Sequence, residues 1–217
     1  MSSPAAPPDP QAPARIDAAG WIVHPAVRIA PSPNHDERPA GTDASLLVVH
    51  NISLPPGEFG GPCIEALFTN TLDCDAHPWF DCLRGLRVSA HFLIDRHGRV
   101  TQFVSTDRRA WHAGVSSFEG RERCNDFSLG IELEGTDTLP YTDAQYASLA
   151  WLTALLCERH PLRHVRGHEH IAPGRKTDPG PSFDWGRAME GPPPMRLRAP
   201  PPGGGTGGPA KPDPLCP

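Results

Sequence analysis

Between residues 45 and 50 the chain reads SLLVVH, four consecutive apolar residues closed by a histidine. A run this short and unbroken suits a strand buried on both faces of a sheet, not an amphipathic helix. Asn51 follows, and the chain then breaks at Pro55, Pro56 and Gly57. A polar pair at the end of a buried strand is where open sheets place their sites. Working outward, residues 128–134 (SLGIELE) read as a second strand. Its alternation puts Glu132 and Glu134 on one face and Leu133 on the other. Residues 88–95 and 99–105 read as strands joined by a hairpin turn at His97-Gly98. Residues 163–168 read as a short last strand that delivers His168.

Residues 142–160 carry the clearest helical period. Thr142 and Gln145 form a capping box, and Pro161 follows the end. Tyr146, Leu149, Ala150, Thr153, Leu156 and Cys157 mark its buried face. Pro62 opens a helix over residues 62–69, and residues 183–190 suggest a closing one. Residues 21–29 read as extended, and residues 31–39 and 110–114 as loops. The expected fold is therefore α/β: a central mixed β-sheet flanked by α-helices, in a single domain.

That domain is expected over residues 20–190. Residues 1–19 are Ala/Pro-rich, and residues 191–217 contain ten Pro and six Gly. Such segments bury too little apolar surface to offset their ordering entropy, so both are expected to be disordered. A net charge of −5, from 25 acidic and 20 basic residues, argues against a nucleic-acid partner. No run of 18 apolar residues marks a membrane span, and the N-terminus lacks the apolar core of a secretory signal. The expectation is a cytosolic protein with no obligate protein partner. The six cysteines show no CxxC pair and are expected to be reduced.

The chemistry concentrates in residues 167–181, GHEHIAPGRKTDPGP. Two Pro-Gly turns make this a loop that folds back and brings His168, Lys176 and Asp178 together. His50, His168 and Asp178 make a two-histidine, one-carboxylate set, which leaves a fourth position open on a tetrahedral zinc ion. Glu132 or Glu134 can serve as a base. Lys176 can stabilise a developing oxyanion. Trp111 and His112 can line a cleft, with Arg87, Arg108, Arg109, Arg121 and Arg123 nearby as partners for an anionic substrate. The ordinary alternatives are a turn-forming Asp178, a surface Lys176, a core Trp111 and solvated arginines.

Five segments go further. LLVVHNISLPPGEFGGP at 46–62, LRVSAHFLI at 86–94, RAWHAGVS at 109–116, GRERCNDFSLGIELEGTDTLPYTDAQY at 120–146 and GHEHIAPGRKTDPGP at 167–181 closely resemble the type 2, zinc-dependent N-acetylmuramoyl-L-alanine amidases. Within that family they resemble the cytosolic amidases that act on 1,6-anhydro-muropeptides in peptidoglycan recycling. The resemblance implies zinc ligands at His50, His168 and Asp178, a general base at Glu132 rather than Glu134, and an oxyanion stabiliser at Lys176. It implies a substrate cleft lined by Asn51, Arg87, Trp111 and Arg123, the two arginines meeting stem-peptide carboxylates. The implied reaction cleaves the amide between the lactyl group of anhydro-muramic acid and L-alanine of a small muropeptide. The charged pair Glu169-His170 departs from the family pattern, and His170 is expected to point away from the metal. Two rival readings are an envelope amidase acting on intact peptidoglycan and a non-catalytic peptidoglycan-recognition module. Removal of residues 191–217 is expected to leave activity intact.

Overall fold

Six strands form one mixed sheet: β1 (Val27–Ile29), β2 (Leu46–Ile52), β3 (Phe92–Ile94), β4 (Val100–Gln102), β5 (Ser128–Glu134) and β6 (His164–Gly167). This computed structural model describes residues 13–190 and 197–201. The spatial order is β6-β2-β5-β3-β4-β1. Neighbours run parallel except β3 and β4, which form the expected antiparallel hairpin. Gly98 occupies the left-handed region at its turn, φ 78°. Among the described residues four α-helices accompany the sheet: α1 (Cys63–Phe68), α2 (Asp143–Arg159), α3 (His168–Ile171) and α4 (Trp185–Ala188). The mixed sheet with flanking helices is the architecture the sequence led us to expect.

β2 and β5 are buried at every position. One face of the pair, with Leu47, Val49, Leu129, Ile131 and Leu133, packs against Tyr146, Leu149, Leu152 and Leu156 of α2. The capping box of Thr142 and Gln145 is present, with Gln145 N–H donating to Thr142 Oγ1 at 3.2 Å. Tyr146, Leu149 and Leu156 are buried on α2 as expected and are joined by Leu152 and Leu155, while Ala150, Thr153 and Cys157 are only partly covered. The other face of β2 is divided. Leu46 and Val48 join Ala113, Cys124, Phe127 and Ile171 in one apolar cluster, and Ile52 joins α1 in another. His50 lies between them, so the polar site occupies a gap in an otherwise apolar layer.

Several local expectations change. The two hairpin strands are three residues each; one further bond, Phe103 N–H to His91 O, continues their pairing, and Ser89 N–H bonds Trp111 O instead. Within the expected loops, His35–Asp36 pairs with Arg109–Ala110. The folded body also reaches past the expected boundaries at 20 and 190. Arg15–Ile16 pairs with Ile22–Val23, and Ile16 and Leu197 pack against the α2 cluster. Arg198 exchanges backbone hydrogen bonds with Arg163 and Val165. Isolated apolar residues within Pro-rich sequence make no period, so the pattern did not reveal them. The rest of the two expected disordered tails, residues 1–12, 191–196 and 202–217 with Cys216, lies outside the described residues. Cys63, Cys74, Cys124 and Cys157 are free thiols, as expected, but Cys82 is disulfide-bonded.

The cap makes a direct test of how α2 is held. Thr142→Ala removes the side chain that satisfies the Gln145 N–H, at a cost of about 1 kcal/mol. Urea denaturation should show that loss, with turnover per folded molecule unchanged.

Candidate active site

Parallel register builds the site. His50 of β2 is aligned with Glu132 of β5, and Val49 with Gly167 of β6. His168 directly follows Gly167, so His168, His50 and Glu132 form a row across three adjacent strands at their carboxyl ends. Asp178 reaches the same point from the loop after α3. Glu169 N–H bonds Asp178 O at 2.9 Å, and Lys176 N–H bonds Ala172 O at 3.0 Å, which fold that loop back on itself.

His50, His168 and Asp178 are 1%, 4% and 2% exposed. His50 Nδ1 lies 3.0 Å from both His168 Nδ1 and Asp178 Oδ2, and His168 Nδ1 lies 3.2 Å from Asp178 Oδ2. Ligands on a tetrahedral zinc ion, at about 2.0–2.1 Å from the metal, stand about 3.3 Å apart. The three atoms therefore have nearly the spacing such an ion requires, and the chemistry of the set suits zinc. The second nitrogen of His168 supports this. Its Nε2 faces Ala113 O at 3.0 Å. A carbonyl only accepts, so Nε2 carries a proton, and Nδ1 is the nitrogen this ring can offer to a metal. Asp178 Oδ1 has no hydrogen-bond partner in the structure.

Charge follows burial here. Burial, then the neighbouring His168, pushes His50 down to about 4. Burial would raise Asp178, but His168 and His50 together hold its carboxyl below the usual carboxylate range. Glu132 is pushed well above the ordinary glutamate range, first by burial and then by Asp178, with Lys176 opposing. Such a carboxyl is suited to holding and releasing a proton.

The structure separates the two glutamates. Glu134 is fully engaged: Oε1 accepts from Gly60 N–H at 2.5 Å and Oε2 from Arg96 N–H at 3.0 Å. Glu132 Oε2 is buried without a partner, and Glu132 lines a cleft of about 260 Å³. The three candidate ligands, Lys176, Arg87 and Trp111 line the same cleft. Arg87 is exposed and Trp111 half-buried. Asn51 also borders it, but its amide is occupied, donating to Asp137 Oδ1 at 2.8 Å and Pro179 O at 3.1 Å. It clamps the loop that carries Asp178.

Arg123 is not on the cleft wall. It is 3.4 Å from Asp126. Arg109 bonds Asp36 and Asp126, and Arg108 pairs with Glu37, so these two arginines are engaged by acidic partners. His170 turns away from the ligand cluster, as expected. Its Nδ1 accepts from Gly167 N–H at 3.0 Å and its ring packs on Trp185. The sequence reading missed Asn125 and Arg175 as cleft residues. Asn125 gave no signal, because an isolated Asn in a loop reads as a turn residue. Arg175 adjoins Lys176 and was passed over as a surface charge.

Glycine makes room for this arrangement at two places. A Cβ on Gly130 would lie 2.6 Å from the His112 ring, and one on Gly180, at φ 83°, 2.4 Å from Asp137 Cα.

The comparisons with known proteins agree. The model of the family described as N-acetylmuramoyl-L-alanine amidase matches residues 40–181. The 1,6-anhydro-N-acetylmuramyl-L-alanine amidase AmpD of Citrobacter freundii is 64% identical over 170 residues, covering 77% of this chain and 90% of that one. The AmpD of Escherichia coli strain K12 is 62% identical over 170 residues, covering 77% and 92%. A crystal structure of a selenomethionine AmpD derivative superposes with a TM-score of 0.76 at 63% identity, covering 78% and 95%. The chain belongs to the N-acetylmuramoyl-L-alanine amidase family, whose members hydrolyse an amide bond. Within that family it is of the AmpD type.

The raised Glu132 gives a signed prediction for the metal-free protein. A carboxyl whose folded pKa lies above its unfolded value of about 4.3 makes folding less favourable as pH rises through that window. Glu132→Gln removes the titration. In chemical denaturation the variant should therefore be more stable than the parent at pH 8, and the difference should vanish below about pH 4.

Proposed function

We propose that this enzyme is zinc-dependent and cleaves the amide between the lactyl group of 1,6-anhydro-N-acetylmuramic acid and L-alanine in soluble muropeptides. The observation that carries the metal reading is the convergence of His50 Nδ1, His168 Nδ1 and Asp178 Oδ2 within 3.0–3.2 Å of one another. The substrate follows from the AmpD-type relatives, whose names specify the 1,6-anhydro-muramyl amide. Zinc, when held by these three residues, supplies the Lewis acidity that makes water nucleophilic near neutral pH.

The protein's own groups do the rest. Glu132, buried and with an unpartnered oxygen toward the cleft, takes the proton of the attacking water and returns one to the leaving amine. The Lys176 ammonium, close enough to depress both His50 and Glu132, stabilises the oxyanion as the carbonyl becomes tetrahedral. Trp111 offers an apolar wall to the sugar or the peptide. Arg87 meets a stem-peptide carboxylate from the exposed rim. Arg123, with its side chain 69% exposed, joins only by leaving Asp126. Asn51 serves substrate indirectly, through the Asp178 loop it clamps.

A soluble anhydro-muropeptide as substrate fits a cytosolic recycling role. Among the described residues no helix is long and apolar enough to cross a membrane.

Mass-spectrometric assays on soluble anhydro-muropeptide and on intact sacculi, each with and without chelator, test this reading. Release of free peptide from the soluble substrate should stop with chelator and return with zinc. Sacculi should be barely touched. Activity that survives metal removal sinks the mechanism, and efficient release from sacculi moves the enzyme to the cell envelope. Glu132→Ala should retain zinc and lose roughly 10²–10⁴-fold in kcat.

A further inference from the structure

His168 has its proton placed by a backbone carbonyl, but His50 meets a second imidazole. His50 Nε2 lies 2.9 Å from His112 Nδ1, and His112 Nε2 lies 3.1 Å from Ser128 Oγ. A neutral imidazole donates from one nitrogen and accepts at the other, and a hydroxyl does both. Taken alone, the row Ser128–His112–His50 runs equally well in either direction.

The His50 end breaks that symmetry. A histidine that offers Nδ1 as a ligand carries its proton on Nε2. His112 Nδ1 must then accept that proton's hydrogen bond, so His112 is protonated on Nε2 and donates to Ser128 Oγ. We infer that His112 is a positioning residue: as the Nε2–H tautomer it accepts from His50 Nε2 and so turns the lone pair of His50 Nδ1 toward His168 and Asp178. The inference rests on the metal reading proposed above.

The surroundings are built around this contact. Gly130 of β5, on the same strand face as Glu132, leaves the space the His112 ring fills. Asn125 Oδ1 accepts from both His112 N–H, at 3.2 Å, and Ala113 N–H, at 2.8 Å. One side-chain oxygen thus holds the two consecutive residues whose ring and carbonyl meet His50 and His168. Arg38 in turn donates to the backbone carbonyls of Asn125, Asp126 and Ser128 at 3.2, 3.1 and 2.8 Å, fixing the segment from which Asn125 and Ser128 project. Outer partners of this kind orient ligating histidines, and their loss typically costs roughly 10–100-fold in metal affinity.

The test uses the full chain with ¹⁵N-labelled histidine. Two-bond ¹H–¹⁵N correlation spectra of the zinc-loaded protein read each tautomer directly, and should show His50 and His112 both protonated on Nε2. Chelator competition should show zinc binding weakened roughly 10–100-fold in His112→Ala. His112→Asn, whose Oδ1 restores an acceptor near the Nδ1 position, should recover most of that loss. His112 protonated on Nδ1 overturns the inference. So does a folded His112→Ala variant that binds zinc like the parent, or a His112→Asn variant no better than His112→Ala. If His112→Ala does not fold, the parent spectrum decides. A parent chain that binds no zinc overturns the metal reading and this inference with it, and that failure is seen before any variant is made.

Discussion

Parallel pairing of β2 with β5 and β6 sets the positions of His50, Glu132 and His168. The register aligns His50 with Glu132 and carries His168 alongside His50. Because strand side chains alternate, a slip of one residue would move His50 to the α2 face and bring Val49 to the cleft. That slip is resisted by burial. Leu47, Val49, Leu129, Ile131 and Leu133 are 0–1% exposed against α2, and a one-residue slip would take part of this set off that face. The catalytic geometry is thus held by apolar packing on the opposite side of the sheet.

Asp178 comes from a loop and cannot inherit its place from the sheet. Its anchor is a set of hydrogen bonds to the next residue. Pro179 O accepts from Asn51 Nδ2 at 3.1 Å and from Tyr141 O–H at 2.8 Å. Asn51 also donates to Asp137, whose backbone lies against Gly180 and accepts from Ser182 N–H. A side chain at position 180 would collide with that backbone. The strand end, the turn after β5 and the loop that carries Asp178 therefore form one unit, and Asn51, next to His50 in the chain, joins its parts.

Much of this was legible beforehand. The buried run at residues 45–50, the capping box at Thr142 and the two turn dipeptides around Asp178 each carry a local signal that survives into the structure. The residues of the outer layer carried little. His112 was read only as a cleft-lining residue beside Trp111 in a loop, and no local pattern singles out Asn125 or Arg38. Each meets a partner distant in sequence: His112 meets His50, and Arg38 meets the carbonyls of Asn125, Asp126 and Ser128. The same reason explains Arg123. Its motif suggested substrate contact, but nothing local showed that the fold sets it beside Asp126 and off the cleft wall.

The sequence by itself determined the elements, the mixed α/β class, and the identity of the groups able to bind a metal or move a proton. These depend on periodicity, turn chemistry and residue type, which are properties of short segments. The family resemblance already pointed to Glu132, but only the tertiary structure gives the physical reason that this carboxylate is available. Glu132 and Glu134 share a strand face and are two residues apart, so alternation and residue type do not distinguish them. Distant backbone does: the N–H groups of Gly60 and Arg96 satisfy Glu134, while Glu132 keeps an unpartnered oxygen beside Asp178 and Lys176. Hydrogen-bond satisfaction and burial are settled by which distant segments pack together, and that is fixed only when the chain is folded.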